Sequence, residues 1–399
     1  MANNPVWLLF TEFLKLGFTS FGGPLVHVAI FRQHFVERKA WFNESQFAQW
    51  MLLTQFIPGP SSSQLGFLIG YQRAGWWGAL AAFIGFTFPS ALLMGLFAYG
   101  LLGAGLFGWQ QDLTALLPGL VVLAAALMIQ ASIGLSKPLV TRHVGLIGLI
   151  AISALVLWLT TSAWAIIGWL GVMAFLGWLH SLRPVLSFNA LQAATEPALR
   201  QPSNNQAWWL IGGFSLLLLG FVLLASTSKS INLLASLYQA GALVWGGGQV
   251  VLPYLYVDLV ETGQVDEQTF VAGFALAQAV PGPMFSFAAY LGMLMGGTWL
   301  ALLALVCFFL PGLLLIIAVL PFYQAIINRP ALQAGLLFMQ AGLVGLFIAV
   351  LIYPILPMAL SQGWQSGALL LLNLLWLLAL RQSFFWLIPF NLMFAAFWL

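Results

Sequence analysis

Charge is scarce in this sequence: 12 Lys and Arg and 9 Asp and Glu among 399 residues, 5% in all, against roughly a quarter in an ordinary soluble domain. Water is therefore excluded as the main solvent of the fold. Cysteine is nearly absent. The single Cys307 rules out an internal disulfide and a thiolate metal cluster, and it is expected to fill apolar space. The four histidines, His27, His34, His143 and His180, are scattered, with no metal-ligand spacing. There is no His-Glu-x-x-His, no Gly-x-Ser-x-Gly, no Gly-x-x-x-x-Gly-Lys-Ser/Thr phosphate loop and no paired-carboxylate motif within an apolar run. An enzyme, a pump driven by this chain's own ATPase and a cofactor-bearing reductase are accordingly not expected, and neither is a metal site. The net charge of +3 fits the usual surplus of Lys and Arg on the cytoplasmic side of a membrane, not a nucleic-acid footprint. Met1 to Phe10 lacks the basic start and small-residue cleavage site of a secretory signal, so the amino terminus is expected to persist.

Apolar residues make up 62% of the chain, with 18 Trp, and continuous apolar runs such as Leu113 to Ile133 and Leu210 to Ala225 recur along it. About 20 helical residues cross a bilayer core, whereas strands of a closed barrel would alternate in short segments. An all-α polytopic membrane protein is expected, with the lipid bilayer as its solvent.

The chain also aligns with itself. Leu16-Gly-Phe-Thr-Ser-Phe-Gly-Gly-Pro24 lies over Ala240-Gly-Ala-Leu-Val-Trp-Gly-Gly-Gly248, and Asn43-Glu-Ser-Gln-Phe47 over Asp266-Glu-Gln-Thr-Phe270. Gln55-Phe-Ile-Pro-Gly-Pro60 lies over Gln278-Ala-Val-Pro-Gly-Pro283, and Gly70, Gly75 and Pro89 match Gly292, Gly297 and Pro311. An ordered series at nearly constant offset indicates duplication. The expected organisation is a first repeat over residues 1–182, a polar linker with one connecting helix over 183–227, and a second, inverted repeat over 228–399. One extra crossing between repeats is what inverts the second.

Each repeat opens with two apolar segments broken in the middle, at Gly22-Gly23-Pro24 and Pro58-Gly59-Pro60, then at Gly246-Gly247-Gly248 and Pro281-Gly282-Pro283. If these segments enter and leave on one face as re-entrant hairpins, Lys15, Arg32, Arg38, Lys39, Arg73, Lys137, Arg142, Arg183, Arg200, Arg329 and Arg381 all become cytoplasmic. Only Lys229 is left outside. If they cross fully, the basic loops fall on opposite faces, against the positive-inside rule. The hairpin reading gives nine crossings, amino end in and carboxyl end out.

Pro-Gly-Pro inside an apolar segment cannot continue a helix, and irregular backbone at membrane depth is tolerated where it is buried in protein or lines a wet cavity. The breaks are thus the expected substrate path. A helix restarting there presents unpaired amides and a partial positive charge, which attract anions. Ser61, Ser62, Ser63 and Gln64 supply further donors directly after the first break, or else cap the helix; Ser286 is the one hydroxyl after the second. Gly22, Gly23 and Gly246 to Gly248 serve either close approach to a ligand or helix packing. Lys15, His27, Arg32 and Arg73 are candidates to neutralise an anion, although Arg32 also reads as an interfacial anchor and Lys15 as a partner of Glu12 three residues away. Glu12 and His27 are candidate proton carriers, His27 equally an interior donor.

Phe18-Thr-Ser-Phe-Gly-Gly-Pro24 with His27 and Arg32, Gln55-x-x-Pro-Gly-Pro60, Gly70-Tyr71 and Phe88-Pro-Ser90, with weaker second copies, resemble the chromate ion transporter family in its bacterial two-domain form. The resemblance spans both halves, with Gly248 in place of the motif's proline. It implies export of chromate from the cytoplasm across the inner membrane, powered by membrane potential or proton gradient, and hence chromate resistance. Sulfate is a tetrahedral dianion of similar size, so a carrier for sulfate or another oxyanion, and an anion channel, stay open on the residues alone. No cofactor or nucleic-acid partner is expected, and association into a homodimer is left open.

Overall fold

The computed structural model describes residues 4–21, 23–102, 110–142, 145–159, 162–182, 200–243, 251–323, 329–380 and 386–398, and every regular element among them is helical. Six helices among the described residues are long and apolar enough to cross a membrane: Ser61–Leu101, Leu116–Lys137, Trp164–Ser181, Asn204–Thr227, Met284–Ala318 and Pro330–Ala359. Shorter apolar helices follow at Trp364–Ala379 and Leu387–Trp398. In chain order α5 (Gln110–Arg142), α6 (Leu146–Leu159) and α7 (Ala163–Ser181) precede α8 (Asn204–Leu224), which is begun by a Ser203–Gln206 capping box and keeps Trp209 81% and Leu216 71% exposed. An apolar helix bare on its outer faces is suited to hydrocarbon, not to water. The chain is a multi-pass membrane protein.

The first half starts with α1 (Pro5–Thr19), α2 (Gly23–Phe31) and a π-helical continuation, Arg32–Arg38. Asn4 caps α1 by accepting the Val6 amide, with Pro5 preset for the first turn. The two helices double back on each other. Phe13 meets Phe31 at 5.4 Å and Phe35 at 5.0 Å between ring centroids, and Glu12 meets His34. In the second half, α9 (Lys229–Leu243) meets α10 (Val251–Leu255) and its π-helical continuation Tyr256–Val260 in the same sense, through Gln239 with Tyr254 and Ser236 with Asp258.

Next comes α3 (Glu44–Phe56), started by an Asn43–Gln46 capping box, then the break, then α4 (Ser61–Leu101). The counterparts are α11 (Glu267–Ala279), capped by Asp266, and α12 (Phe287–Ala318). α4 is not one rod. It reverses at Ala74 and Gly75, where φ is +65°, so that a Cβ on Gly70 would lie 2.3 Å from the Gly78 carbonyl oxygen. α12 reverses likewise at Gly296 and Gly297, bringing Gly292 against Leu300 and Ala301. Positive φ is the conformation that favours glycine. The guanidinium of Arg73, at the end of the rising limb, stacks 4.7 Å over the Trp41 ring, just ahead of α3. The two ends of the α3–break–α4 hairpin therefore meet.

α1 crosses the second limb of α4 with Gly17 on the Phe86 carbonyl and beside Pro89; α9 crosses α12 with Gly241 on the Phe308 carbonyl and beside Pro311. Small residues allow helix axes this close in membranes.

Candidate functional site

α3 ends at Phe56 because Pro58 and Pro60 cannot donate to a helical ladder. α4 restarts with Pro60 as N-cap, and no side chain caps it. Its first ladder bond runs from the Gln64 amide to the Pro60 carbonyl at 2.9 Å. The amides of Ser61, Ser62 and Ser63 precede that ladder, at the positive end of the helix. Ser62 and Ser63 are buried.

Gln64 is also buried, but it is not a free donor. Its amide nitrogen gives one hydrogen to the Pro58 carbonyl at 2.8 Å and the other to the Gly312 carbonyl at 3.0 Å. Gly312 belongs to α12, so the break of the first half is seated on a helix of the second. A Cβ on Gly59 would fall 2.7 Å from the Gly312 Cα. The converse seat exists too. The Gly282 amide donates to the Ser20 carbonyl at 2.8 Å. A Cβ on Gly282 would lie 3.0 Å from Ser90 Oγ and 3.2 Å from the Phe86 carbonyl. Ser20 and Ser90 are first-half residues, so each half's break rests on the other half.

His27 joins the two seats. Its Nε2 lies 3.2 Å from the Ser20 carbonyl and its Nδ1 3.4 Å from Ser62 Oγ, with the ring edge-on to Phe86. The seats also gather buried polar atoms that have no hydrogen-bond partner. Among the described residues these include Ser20 Oγ, Ser63 Oγ, Gln64 Oε1, Thr87 Oγ1, Gln278 Nε2 and Ser286 Oγ. A buried polar group left unpaired costs about 1–3 kcal/mol, and such groups concentrate where a ligand or water completes the set.

The second copy of this constellation is chemically blunter. At the repeat offset, His27, Ser61, Ser62 and Gln64 correspond to Val251, Met284, Phe285 and Phe287. These four second-half residues line a small apolar cavity together with Phe308 and Leu237. The helix also starts differently: a 3-10 turn, Met284–Ser286, uses the Ser286 amide on the Pro283 carbonyl at 3.1 Å.

The basic candidates lie away from the break. Arg32 is at the far end of α2, roughly nine residues or about 13 Å of helix from the tip, and it pairs with Glu37 at 2.6 Å and Glu44 at 2.7 Å. The hydrogen bond from Arg32 holds the Glu44 carboxyl below its ordinary range. Lys15 is 70% exposed and 3.7 Å from Glu12. Glu12, itself buried, also binds His34 at 2.8 Å and Lys39 at 3.1 Å. Arg73 is on Trp41, and Gly23, with φ at +81°, has open space around it. Pro24 follows it in α2. Gly22 and Gly246 to Gly248 lie outside the described residues. Replacing Arg32 by alanine is expected to leave initial transport rates within about twofold of wild type in a vesicle assay, since exposed ion pairs contribute little.

Ser20, Thr87, Ser90 and Gly312 were not among the sequence candidates. Ser20 and Ser90 stand inside motifs read above, Thr-Ser-Phe-Gly-Gly and Phe-Pro-Ser, which is the one signal that marks them. Another unforeseen contact is Arg200 of the linker, whose amide and carbonyl both bond the Gln72 side chain, at 2.8 and 3.0 Å, beside the Gly75 turn.

A family model described as chromate transporter matches residues 7–178 and 231–398. The chain is 28% identical over 385 residues, 95% of its length and 91% of the relative's, to an uncharacterised transporter of Methanocaldococcus jannaschii. It is 27% identical over 351 residues to the chromate transport protein of Pseudomonas aeruginosa, covering 86% of this chain and 80% of that one. Against the probable chromate transport protein of Synechococcus elongatus the figure is 26% over 318 residues, 78% of this chain and 75% of that one. No solved structure matches the chain.

Proposed function

Since the chain belongs to the chromate transporter family, we propose that it is a secondary active carrier exporting chromate from the cytoplasm across a bacterial inner membrane, with chromate resistance as the result. The observation that carries the site assignment is the first turn of α4, which holds leading amides, the buried Ser62 hydroxyl and the partnerless, buried Ser63 hydroxyl. A tetrahedral dianion needs several donors around its oxygens, and a helix start supplies them with a favourable dipole. These donors are neutral. Holding a dianion without an ion pair favours release as well as capture, which a carrier requires.

In this reading the two breaks and their seats, with Ser20, Ser90 and Gly312, form the substrate path, and the arrangement is an inverted repeat divided at residues 1–182, 183–227 and 228–399. The meeting of Arg73 with Trp41 supports a re-entrant hairpin, because a segment that crossed the membrane would end far from its start. Four crossings after each hairpin pair and one between the halves then make nine. The second break carries Val251, Met284, Phe285 and Phe287 where the first carries His27, Ser61, Ser62 and Gln64, and this poorer donor set argues for one anion site per chain.

The test is uptake of labelled chromate into inverted membrane vesicles, with and without a protonophore and with excess sulfate. Protein-dependent uptake, lost with the protonophore and spared by sulfate, is expected. Full suppression by sulfate replaces chromate by another oxyanion as substrate, and conductance that persists without a gradient makes the protein a channel.

A further inference from the structure

The hydrogen atoms at His27 can be counted. Its Nε2 faces the Ser20 carbonyl at 3.2 Å, and a carbonyl only accepts, so Nε2 carries a hydrogen. A neutral imidazole then has a bare Nδ1, and the Ser62 hydroxyl, 3.4 Å away, donates to it. Ser62 has one hydrogen. While it points at His27, the oxygen turns only lone pairs outward, and lone pairs repel an anion.

We propose that proton uptake at His27 reverses the His27–Ser62 hydrogen bond and thereby switches Ser62 into an anion donor, coupling one proton to each bound oxyanion. This rests on the first turn of α4 being the anion site. With Nδ1 protonated, the ring donates to Ser62, and the hydroxyl hydrogen is released toward the leading amides of Ser61 to Ser63. The imidazolium also adds a positive charge to an otherwise neutral donor set. His27 and Ser62 are 1% and 3% exposed, so little water competes for either role.

The groups packed on the ring are Ser20 from the end of α1, Ser62 from the first turn of α4 and Phe86 from its second limb. None of these titrates, and the ion pairs of Glu12, Lys15, His34 and Lys39 are made further along the hairpin. The nearest available charge for a proton on His27 to answer is therefore the anion. By linkage, the anion strengthens proton binding by the same factor as the proton strengthens anion binding. The second half has no such switch, because Val251 and Phe285 stand at the two positions.

The experiment is equilibrium binding of chromate to the purified full-length protein in nanodiscs between about pH 7.5 and pH 9, where chromate itself stays a dianion. One linked proton weakens wild-type affinity by up to about tenfold per pH unit. His27→Gln is expected to bind with a flat profile, Ser62→Ala to bind at least about tenfold more weakly with a reduced slope, and Ser62→Thr, which keeps the hydroxyl, to recover the slope. Melting curves and size-exclusion profiles establish that each variant is folded. A flat wild-type profile, or a slope that survives in folded His27→Gln, overturns the switch and leaves the anion site standing. Absence of chromate binding by folded wild type at every pH overturns both.

Discussion

Replacing Ser61, Ser62 and Ser63 together by alanine is expected to lower chromate transport at least about 100-fold while leaving the protein inserted and folded. A hydrogen bond to a charged group is worth about 1.5–3 kcal/mol, and each 1.4 kcal/mol is a factor of about ten, so two lost donors suffice. The unusual part is the stability. Pro60, not a serine, occupies the N-cap, and Ser63 Oγ bonds nothing in the fold. Removing a buried hydroxyl that has no partner relieves a desolvation cost, so Ser63→Ala alone should match or exceed the wild-type melting temperature while transporting less. A capping role predicts the reverse, a loss of about 1 kcal/mol with transport little changed. Melting in detergent and initial rates in vesicles, measured on the same preparations, separate the two.

Gly59→Val is expected to abolish the folded protein. The position has φ at +138°, and a Cβ there would lie 2.4 Å from Gln64 Nε2 and 2.7 Å from the Gly312 Cα. Strained backbone costs about 1–3 kcal/mol and overpacking about the same again, and the side chain that must yield, Gln64, is pinned by two carbonyls. Gly312→Val should fail by overpacking, without the backbone strain, from the opposite half, its Cβ being 2.8 Å from the Gly59 Cα. Gly148→Val, where the added carbon meets nothing within 4 Å, serves as control. Yield of monodisperse protein is the readout: collapse for the first two, near wild type for the third.

The helical membrane class was legible because composition alone excludes water, and the breaks at Pro58 and Pro281 were legible because a Pro-Gly-Pro run removes two ladder donors within three residues, where the single Pro89 and Pro311 are carried inside α4 and α12. The reversal at Gly75 was not. A glycine in an apolar run reads the same whether it packs a neighbouring helix or bends its own, and only φ distinguishes them. The candidate site was legible where donors adjoin a break, as at Ser61, Ser62, Ser63 and Gln64, and opaque where they come from elsewhere in the chain: Gly312 is 248 residues from Gln64. Charge misled. Arg32 and Lys15 are close to the tip in sequence, but helical rise carries Arg32 to the rim, and Lys15 is turned to solvent and toward Glu12.

The seating of Gln64 on Gly312 also sets a clock on synthesis. At about 5–20 residues per second, the ribosome delivers Gly312 on the order of tens of seconds after Gln64, and for that interval one of the two hydrogens on the Gln64 side-chain amide lacks its acceptor in an apolar setting. Nascent chains stalled before α12 emerges should therefore be recognised as unfinished and degraded, and full-length chains should become protease-resistant only late, both halves at once.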